Sequence, residues 1–486
     1  MFSLKNQRGW KMKLIFEKSN MGRKAISLPE LDVPKKDNIL SAELIRESNN
    51  LPELSEIEVV RHFIALSRRN FGVDNGFYPL GSCTMKYNPK INEDVSRLDG
   101  FTALHPFNHH NQGALQLMHE LQEDLKEITG MDAITLSPAA GAHGELTGLM
   151  IIKKYFEERN EKRGIILAPD SSHGTNPASS SMCGFETITI KSNEKGQVDL
   201  DELKNNLNEN VAAIMLTIPN TLGIFEENIL EITKIVHDNG SLAYMDGANM
   251  NALLGKVKPG DMGIDVMHLN LHKTFSTPHG CGGPGSGPVA VKSHLEKFLP
   301  NPKIDKDGET YRFMDNESSI GKVRAFYGNF NVLVKAYTYI KSIGASGLRK
   351  VSENAVLNAN YMKEKLKKHY DLPYDSLCKH EFVLSDKDMP NEVTTSDIAK
   401  RLLDYNYHPP TVYFPLIVHG AIMIEPNETE SKEMLDGFID VMVRIKDEAG
   451  SDPDILKTAP HTTPVKKLDA VRAARDMDLR FKFLDN

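Results

Sequence analysis

Apolar residues recur every three or four positions at Leu115, Met118, Leu121, Leu125 and Ile128, and Gly130 follows. That spacing predicts an amphipathic helix with a glycine stop. A short strand is expected at Ala133-Ile134-Thr135-Leu136, and Gly141 and Gly144 open a second helix that runs to about Arg159. The alternation then repeats. Strands are predicted at 164–168, 212–217, 242–245 and 265–270. Helices are predicted after Asp199, which caps one, and over Ile229, Ile232, Ile235 and Val236 as far as Gly240. Strands alternating with helices imply βαβ crossovers and a mostly parallel sheet covered on both faces.

From about 335 the rhythm changes. A helical run spans about Asn331–Ile343 and another spans Gly347 to about His369. Strands are expected at Glu381–Leu384 and Gly420–Ile424, as in a smaller α+β domain. Residues 1–70 are rich in Pro, Asn and charge. Pro29, Pro34 and Pro52 interrupt any long helix there, so the segment reads as an arm, free or wrapped on a partner subunit. The organisation expected is an arm over 1–70, a large α/β domain over 71–334, a small α+β domain over 335–450 and a tail over 451–486. Met1–Trp10 reads as an extension, with Met12 or a neighbour as an alternative start. No internal repeat or low-complexity block is present.

Composition narrows the class. The chain has 486 residues, 40% of them apolar and 26% charged, which fits a globular protein with more than one domain. The formal charge of −8 is mild for this length and gives no expectation of nucleic-acid binding. No apolar run approaches the roughly 20 residues needed to span a bilayer, and no signal peptide is read at the N-terminus. Cys83, Cys183, Cys281 and Cys378 are far apart, without metal-ligand or disulfide-framework spacing, which fits a reducing cytoplasm. His105, His109 and His110 have no acid or cysteine at ligand spacing, so no metal is expected.

The chemistry concentrates where predicted strands end. Tyr244-Met245-Asp246-Gly247 closes one strand with a carboxylate, and Asn270-Leu271-His272-Lys273-Thr274-Phe275 follows a later one with a lysine. A loop of mostly Gly, Pro and Ser runs from Pro278 to Pro288. In parallel α/β sheets ligands sit beyond the carboxyl ends of the strands, so Asn220, Asp246 and Lys273 are expected to converge. A lysine amine that bonds an aldehyde, with an acid that keeps a pyridine nitrogen protonated, suits pyridoxal 5'-phosphate. Ala140-Gly141-Ala142 joins a strand to a helix and suits a phosphate on the helix N-terminus. His173 either stacks on the pyridine ring or is an ordinary loop histidine. His272 either contacts the phosphate, adjusts Lys273 or is simply packed.

Four longer motifs carry a resemblance. Gly81-Ser82-Cys83-Thr84-Met85-Lys86-Tyr87-Asn88-Pro89-Lys90, His173-Gly174-Thr175-Asn176-Pro177-Ala178-Ser179, Met245-Asp246-Gly247-Ala248-Asn249-Met250-Asn251-Ala252 and Asn270–Phe275 together resemble the glycine cleavage system P-protein family, glycine dehydrogenase (decarboxylating). The likeness extends to Glu425–Lys432 and His461–Pro464. The length and the Leu14–Ser19 segment are similar to the second chain of the two-chain bacterial form. Asn427 and Ser286 stand where the family pattern leads one to expect Thr and Ala.

The resemblance implies a fold-type-I pyridoxal-phosphate enzyme with the cofactor held as an imine on Lys273. It implies Asp246 as the pyridinium partner and His173 as the ring-stacking residue. It further implies a companion first subunit of the same fold without the lysine (two of each chain in a heterotetramer), a lipoylated H protein as partner, and glycine as substrate. The activity implied is decarboxylation of glycine with transfer of the aminomethyl group to the lipoyl arm. The Gly81–Asn88 segment and the Gly280–Gly287 loop are candidates for lining the access channel. Two other readings compete. One is a non-catalytic structural subunit, against which Lys273 argues. The other is a different fold-type-I lyase such as a cysteine desulfurase, which needs a cysteine on a mobile loop.

Overall fold

The computed structural model describes residues 12–36, 39–46, 50–108, 110–279 and 285–477. The Met1–Trp10 extension, His109 and positions 280–284 with Cys281 lie outside the described residues. The chain divides into two compact units, 1–75 with 458–486, and 76–457.

In the first unit, the helix Glu56–Ser67 starts at a capping box, with Ser55 and Glu58 exchanging side-chain and backbone hydrogen bonds. Met21, Ile26, Leu28, Leu31, Ile39 and Leu44 are exposed along its extended part.

The second unit is built on a seven-stranded sheet. Its strands are β1 (Ala133–Thr135), β2 (Ile165–Pro169), β3 (Glu186–Ile190), β4 (Val211–Thr217), β5 (Leu242–Gly247), β6 (Val266–Leu269) and β7 (Val289–Val291), in the order β1-β7-β6-β5-β4-β2-β3. Only β7 runs antiparallel to its neighbours. β4 and β5 are buried along almost their whole length, as strands covered on both faces must be.

The helix Gly141–Glu158 lies against this sheet and needs small residues to approach it. A Cβ at Gly148 would meet the Tyr244 ring at 2.5 Å, and one at Gly144 would meet His268 Cβ at 3.1 Å. The helix Gln112–Thr129 ends where Gly130 takes φ 69°, and Asp199 caps Leu200–Asn206 by accepting from two backbone N–H groups.

A hairpin of β8 (Lys303–Asp307) and β9 (Thr310–Met314) follows the sheet. The long helix Phe330–Leu366 is broken at Gly344 (φ 61°, ψ −177°), which accounts for two helical runs in the sequence pattern. A second, three-stranded sheet holds β10 (Phe382–Ser385), β11 (Thr411–Val412) and β12 (Ala421–Ile424), with β12 in the centre and all pairs antiparallel. It is packed on the Phe330–Leu366 helix and on the helix Lys432–Ser451 through Phe382, Leu384, Ile422, Ile424 and Phe438. The expected α/β class with a mostly parallel sheet holds. The antiparallel β7 and the strand β3 have no counterpart in the sequence reading. Thr187-Ile188-Thr189-Ile190 in β3 does alternate, a strand signal that the sequence reading passes over, and the three residues of β7 are too few to read by period.

Candidate active site

Strand register assembles the core of the site. Thr217 pairs with Asp246 across β4 and β5, and Asp246 pairs with His268 across β5 and β6. Residues directly opposite on neighbouring strands point to the same face, so these three side chains form one row near the carboxyl ends. Asp246 Oδ1 lies 3.3 Å from His268 Nε2 and accepts the Ala248 N–H at 3.0 Å. Oδ2 accepts from Asn176 Nδ2 at 3.3 Å. His268 Nδ1 meets the Tyr244 hydroxyl at 2.7 Å. The tautomer with Nε2–H toward Asp246 and Nδ1 accepting from Tyr244 satisfies all three groups.

Burial pushes the Asp246 carboxyl up. Interactions with His268 and His173, the nearby Lys273 amine and the Ala248 N–H outweigh burial and hold it below the ordinary value. Asp246 is therefore an anion at neutral pH.

Lys273 stands four residues beyond β6, in a turn closed by its own N–H to Asn270 O at 3.0 Å. It is 9% exposed and lines one pocket with Asp246, His173, Thr217, Asn220, Asn249, Ser82, His380 and Glu381.

His173 enters from the loop after β2. Its N–H donates to Thr217 Oγ1 at 3.2 Å, and Nδ1 meets Thr175 Oγ1 at 2.8 Å. Thr175 in turn donates to Glu145 Oε1 at 2.6 Å. Glu145 also receives Asn176 and Ser179, each at 3.1 Å. One buried glutamate from the sheet-packing helix thus organises the whole His173–Ser179 turn. Burial pushes the His173 imidazole down despite the nearby Asp246, so it is neutral and free to lie against a ring.

Ala140, Gly141 and Ala142 do not line that pocket. They form the N-terminus of the helix Gly141–Glu158, where Ala140 supplies no side-chain cap. A Cβ at Gly141 would lie 2.6 Å from the Asn270 side chain, and one at Gly287 would lie 2.1 Å from Ala140 O. Asn270 Oδ1 and Ser286 Oγ are buried there without a partner. An uncapped helix N-terminus beside unpartnered buried polar atoms is the environment a phosphate ester would complete.

His272 reaches the same place, its Nδ1 accepting the Ser286 N–H at 3.3 Å. Burial, with His279 and Lys273 adding to it, brings His272 down to about 3. At neutral pH it offers hydrogen bonds rather than charge. The buried anion Asp246, the buried amine Lys273 and this cradle fit pyridoxal phosphate. A wider surface groove of about 850 Å³, between 101–106 and 324–332, is lined by no lysine and no carboxylate.

Residues 19–310 match the family model described as glycine cleavage system P-protein, and residues 351–461 match that described as glycine dehydrogenase, C-terminal domain. The chain belongs to the glycine cleavage system P-protein family. It is 60% identical over 476 residues to the probable glycine dehydrogenase (decarboxylating) subunit 2 of Caldanaerobacter subterraneus, covering 96% of this chain and 98% of that one. It is 59% identical over 477 residues to the protein of the same name from Bacillus cytotoxicus, covering 96% and 97%.

Among solved structures, an inhibitor-bound glycine decarboxylase (P-protein) aligns with TM-score 0.69 at 19% identity, over 84% of this chain and 93% of that one. A cysteine desulfurase from Thermococcus onnurineus aligns with TM-score 0.61 at 16% identity, over 77% and 95%. The fold is that of the fold-type-I pyridoxal-phosphate enzymes.

Burial pushes the Cys83 and Cys183 thiols up to about 11 and Cys378 up to about 12. None of these three is an activated nucleophile.

The site also contains residues to which the sequence reading gave no site role: His268, Glu145, Thr217, His380, Glu381 and Glu425. A histidine inside the fully buried strand β6 was a signal for the first, because buried histidines need partners. Asn427, where the family pattern suggests Thr, takes φ 37° and bonds Met85 O at 3.1 Å through Nδ2. Asn tolerates that backbone better than a β-branched residue. Among the described residues, no helix is long and apolar enough to cross a membrane.

Proposed function

We propose that the chain is the catalytic, cofactor-bearing subunit of a glycine dehydrogenase (decarboxylating). In this reading it removes CO2 from glycine and passes the aminomethyl group to the lipoyl arm of the glycine cleavage H protein. It works with a companion first subunit, two of each chain. The observation that carries this reading is Lys273, nearly buried in one pocket with the anionic Asp246 and the neutral His173. The curated relatives' name, subunit 2, supports the companion chain.

Lys273 is the residue that would attach pyridoxal phosphate covalently. Asp246 would hold the ring nitrogen protonated, His173 would face the ring, and Ala140, Gly141, Ala142 and His272 would hold the phosphate. When bound, the cofactor supplies a protonated ring that accepts the electron pair of the bond being broken.

The chain's own residues do the rest. Asp246 stays ionised because His268 and Asn176 fix both of its oxygens and the nearby Lys273 amine favours the anion. The Glu145 network holds the His173 turn rigid. The burial of Asp246 and Glu381 keeps bulk water from the reacting carbon, which would otherwise be protonated.

Borohydride reduction of the chain with its companion, followed by peptide mapping, tests the assignment. A pyridoxyl label on Lys273, together with glycine-dependent exchange of labelled bicarbonate, supports it. A label elsewhere, or none, rejects it.

A further inference from the structure

The second sheet delivers a further carboxyl pair to the pocket of Lys273. Glu381 immediately precedes β10 and Glu425 immediately follows β12. Phe382 pairs with Ile424, so the antiparallel register sets the two glutamates opposite each other. Both are buried, at 2% and 0% exposure. Glu381, Glu425 and His380 each bring an oxygen or nitrogen within 4.8 Å of the others.

The two carboxyls are not equivalent. Glu425 accepts the Thr84 N–H at 2.9 Å, the Thr84 hydroxyl at 2.6 Å and Asn249 Nδ2 at 2.9 Å. Glu381 accepts only the Ser82 N–H, at 2.6 Å, and its other oxygen faces His380 Nε2 at 3.6 Å. Two adjacent buried carboxylates cannot both ionise cheaply, and the one with more donors keeps the charge. Burial pushes the Glu425 carboxyl up as well, but Thr84, Asn249 and Lys273 oppose this, so Glu381 holds its proton the more firmly of the two.

Burial pushes Glu381 well above its ordinary value, the Glu425 charge adds to this, and the Ser82 N–H and Lys273 oppose it. Cys83 lies near both acids but stays a neutral thiol. His380 does not take the proton, because burial holds it down at about 3. Its Nδ1 has no partner although the ring is 1% exposed and lines the pocket.

A cation is a poor occupant, since three N–H and O–H donors already point at the Glu425 oxygens and the neighbouring Lys273 amine competes for the pair. Three of the four donors to the pair come from a strained segment. Ser82 and Thr84 hold φ 65° and 51°, a conformation that costs of order 1–3 kcal/mol each for such residues.

We propose that Glu381 is a catalytic acid that protonates the leaving sulfur when a cyclic disulfide accepts the aminomethyl group. This rests on the glycine dehydrogenase reading. The electron pair from the broken carbon–carboxylate bond forms the new C–S bond. The S–S bond breaks and its pair stays on the second sulfur. That sulfur takes the Glu381 proton and becomes a thiol, and Glu381, left as a carboxylate, regains a proton from solvent. One proton is consumed per turnover.

The test compares wild type with Glu381→Gln, in the complex with companion chain, cofactor and lipoylated carrier. Gln keeps an acceptor for Ser82 N–H but has no acidic proton. The expected result is retention of the Lys273 label and of the glycine KM, with kcat for aminomethyl transfer lower by about 10²-fold or more. The fall of wild-type kcat at high pH should vanish in the variant. Infrared spectra of the cofactor-free wild type should show a protonated-carboxyl band at neutral pH that Glu381→Gln lacks. If the variant does not fold, a wild-type carboxyl band titrating together with kcat carries the same test.

Turnover of Glu381→Gln within about twofold of wild type overturns the proposal and leaves Glu381 as a positioning residue for Ser82. Absence of the band does the same. Absence of any glycine turnover in the unmodified complex instead rejects the functional reading, and the proposal with it.

Discussion

Two buried carboxyls, Asp246 and Glu381, line the pocket of Lys273 from different sheets, and their protons behave oppositely. Asp246 is held by His268, Asn176 and the Ala248 N–H, with the Lys273 amine nearby, and stays ionised. Glu381 has one donor and an acidic neighbour, and keeps its proton. Burial alone pushes both upward, so burial does not decide protonation. The count of donors and the sign of the neighbouring charges do. A site built this way offers an anion on one side of the lysine and an acid on the other.

The strongest way to break this arrangement is to remove what both groups face. Lys273→Ala should abolish the pyridoxyl label and lower glycine–bicarbonate exchange by at least about 10⁴-fold, the upper range for one positioned group. Normal exchange would sink the mechanism. Asp246→Asn removes the anionic side alone. A drop in exchange of about 10²–10³-fold, with a shifted absorbance of the bound cofactor, is expected. An unchanged spectrum would mean that Asp246 does not face the ring.

The supports of each side can be tested through stability. On the Glu381 side, Lys86 bonds Glu428 at 2.6 Å and Tyr339 at 3.2 Å, just beyond the strained segment. Lys86→Met leaves Glu428 buried without its cation and should cost about 3–5 kcal/mol by denaturant unfolding. On the Asp246 side, Gly148→Ala puts a Cβ into the Tyr244 ring, which in turn orients His268. A loss of about 1–3 kcal/mol is expected, and a neutral result would show that the helix can move off the sheet.

The smallest effect is the most discriminating. Asp246 has a lowered folded pKa. Its contribution to stability is present above the unfolded value near 3.8 and is lost as pH falls through the folded value. Glu381 has a raised pKa, so between 4.5 and its folded value stability falls as pH rises. Glu381→Gln should therefore gain melting temperature over wild type on going from pH 5 to pH 8, by about 1–2 °C. Asp246→Asn should lose its difference from wild type only in acid. Parallel curves for the two variants would erase the distinction.

The two carboxyls also differ in how readable they were. Asp246 ends an apolar run, and a lysine follows the next strand, so one-dimensional pattern together with the rule for parallel sheets pointed to both. The Ala140–Ala142 turn was readable as a strand-to-helix junction of small residues, and the structure places it at the N-terminus of the helix Gly141–Glu158. Glu381 and Glu425 carry no such mark. Each is a lone acid beside a short apolar run, and their partners Ser82 and Thr84 lie some 300 residues upstream. Glu145 was hidden too, because a glutamate in a helix reads as a solvated face until the fold buries it at 3%. The helix at Thr175–Met182 was read only as the loop that carries His173, since Pro177, Ser and Thr residues weaken its propensity.

Hydrophobic period, glycine stops and residues at strand ends determined the α/β class, the order of the main elements and the candidate lysine and aspartate. These are local properties, set within one turn or one strand. The row Thr217–Asp246–His268, the Glu145 network and the Glu381–Glu425 pair depend on register between strands distant in sequence and on two sheets meeting over one lysine. Only tertiary structure decided them, because hydrogen-bond partners and local charge, which set each proton, are properties of neighbours in space.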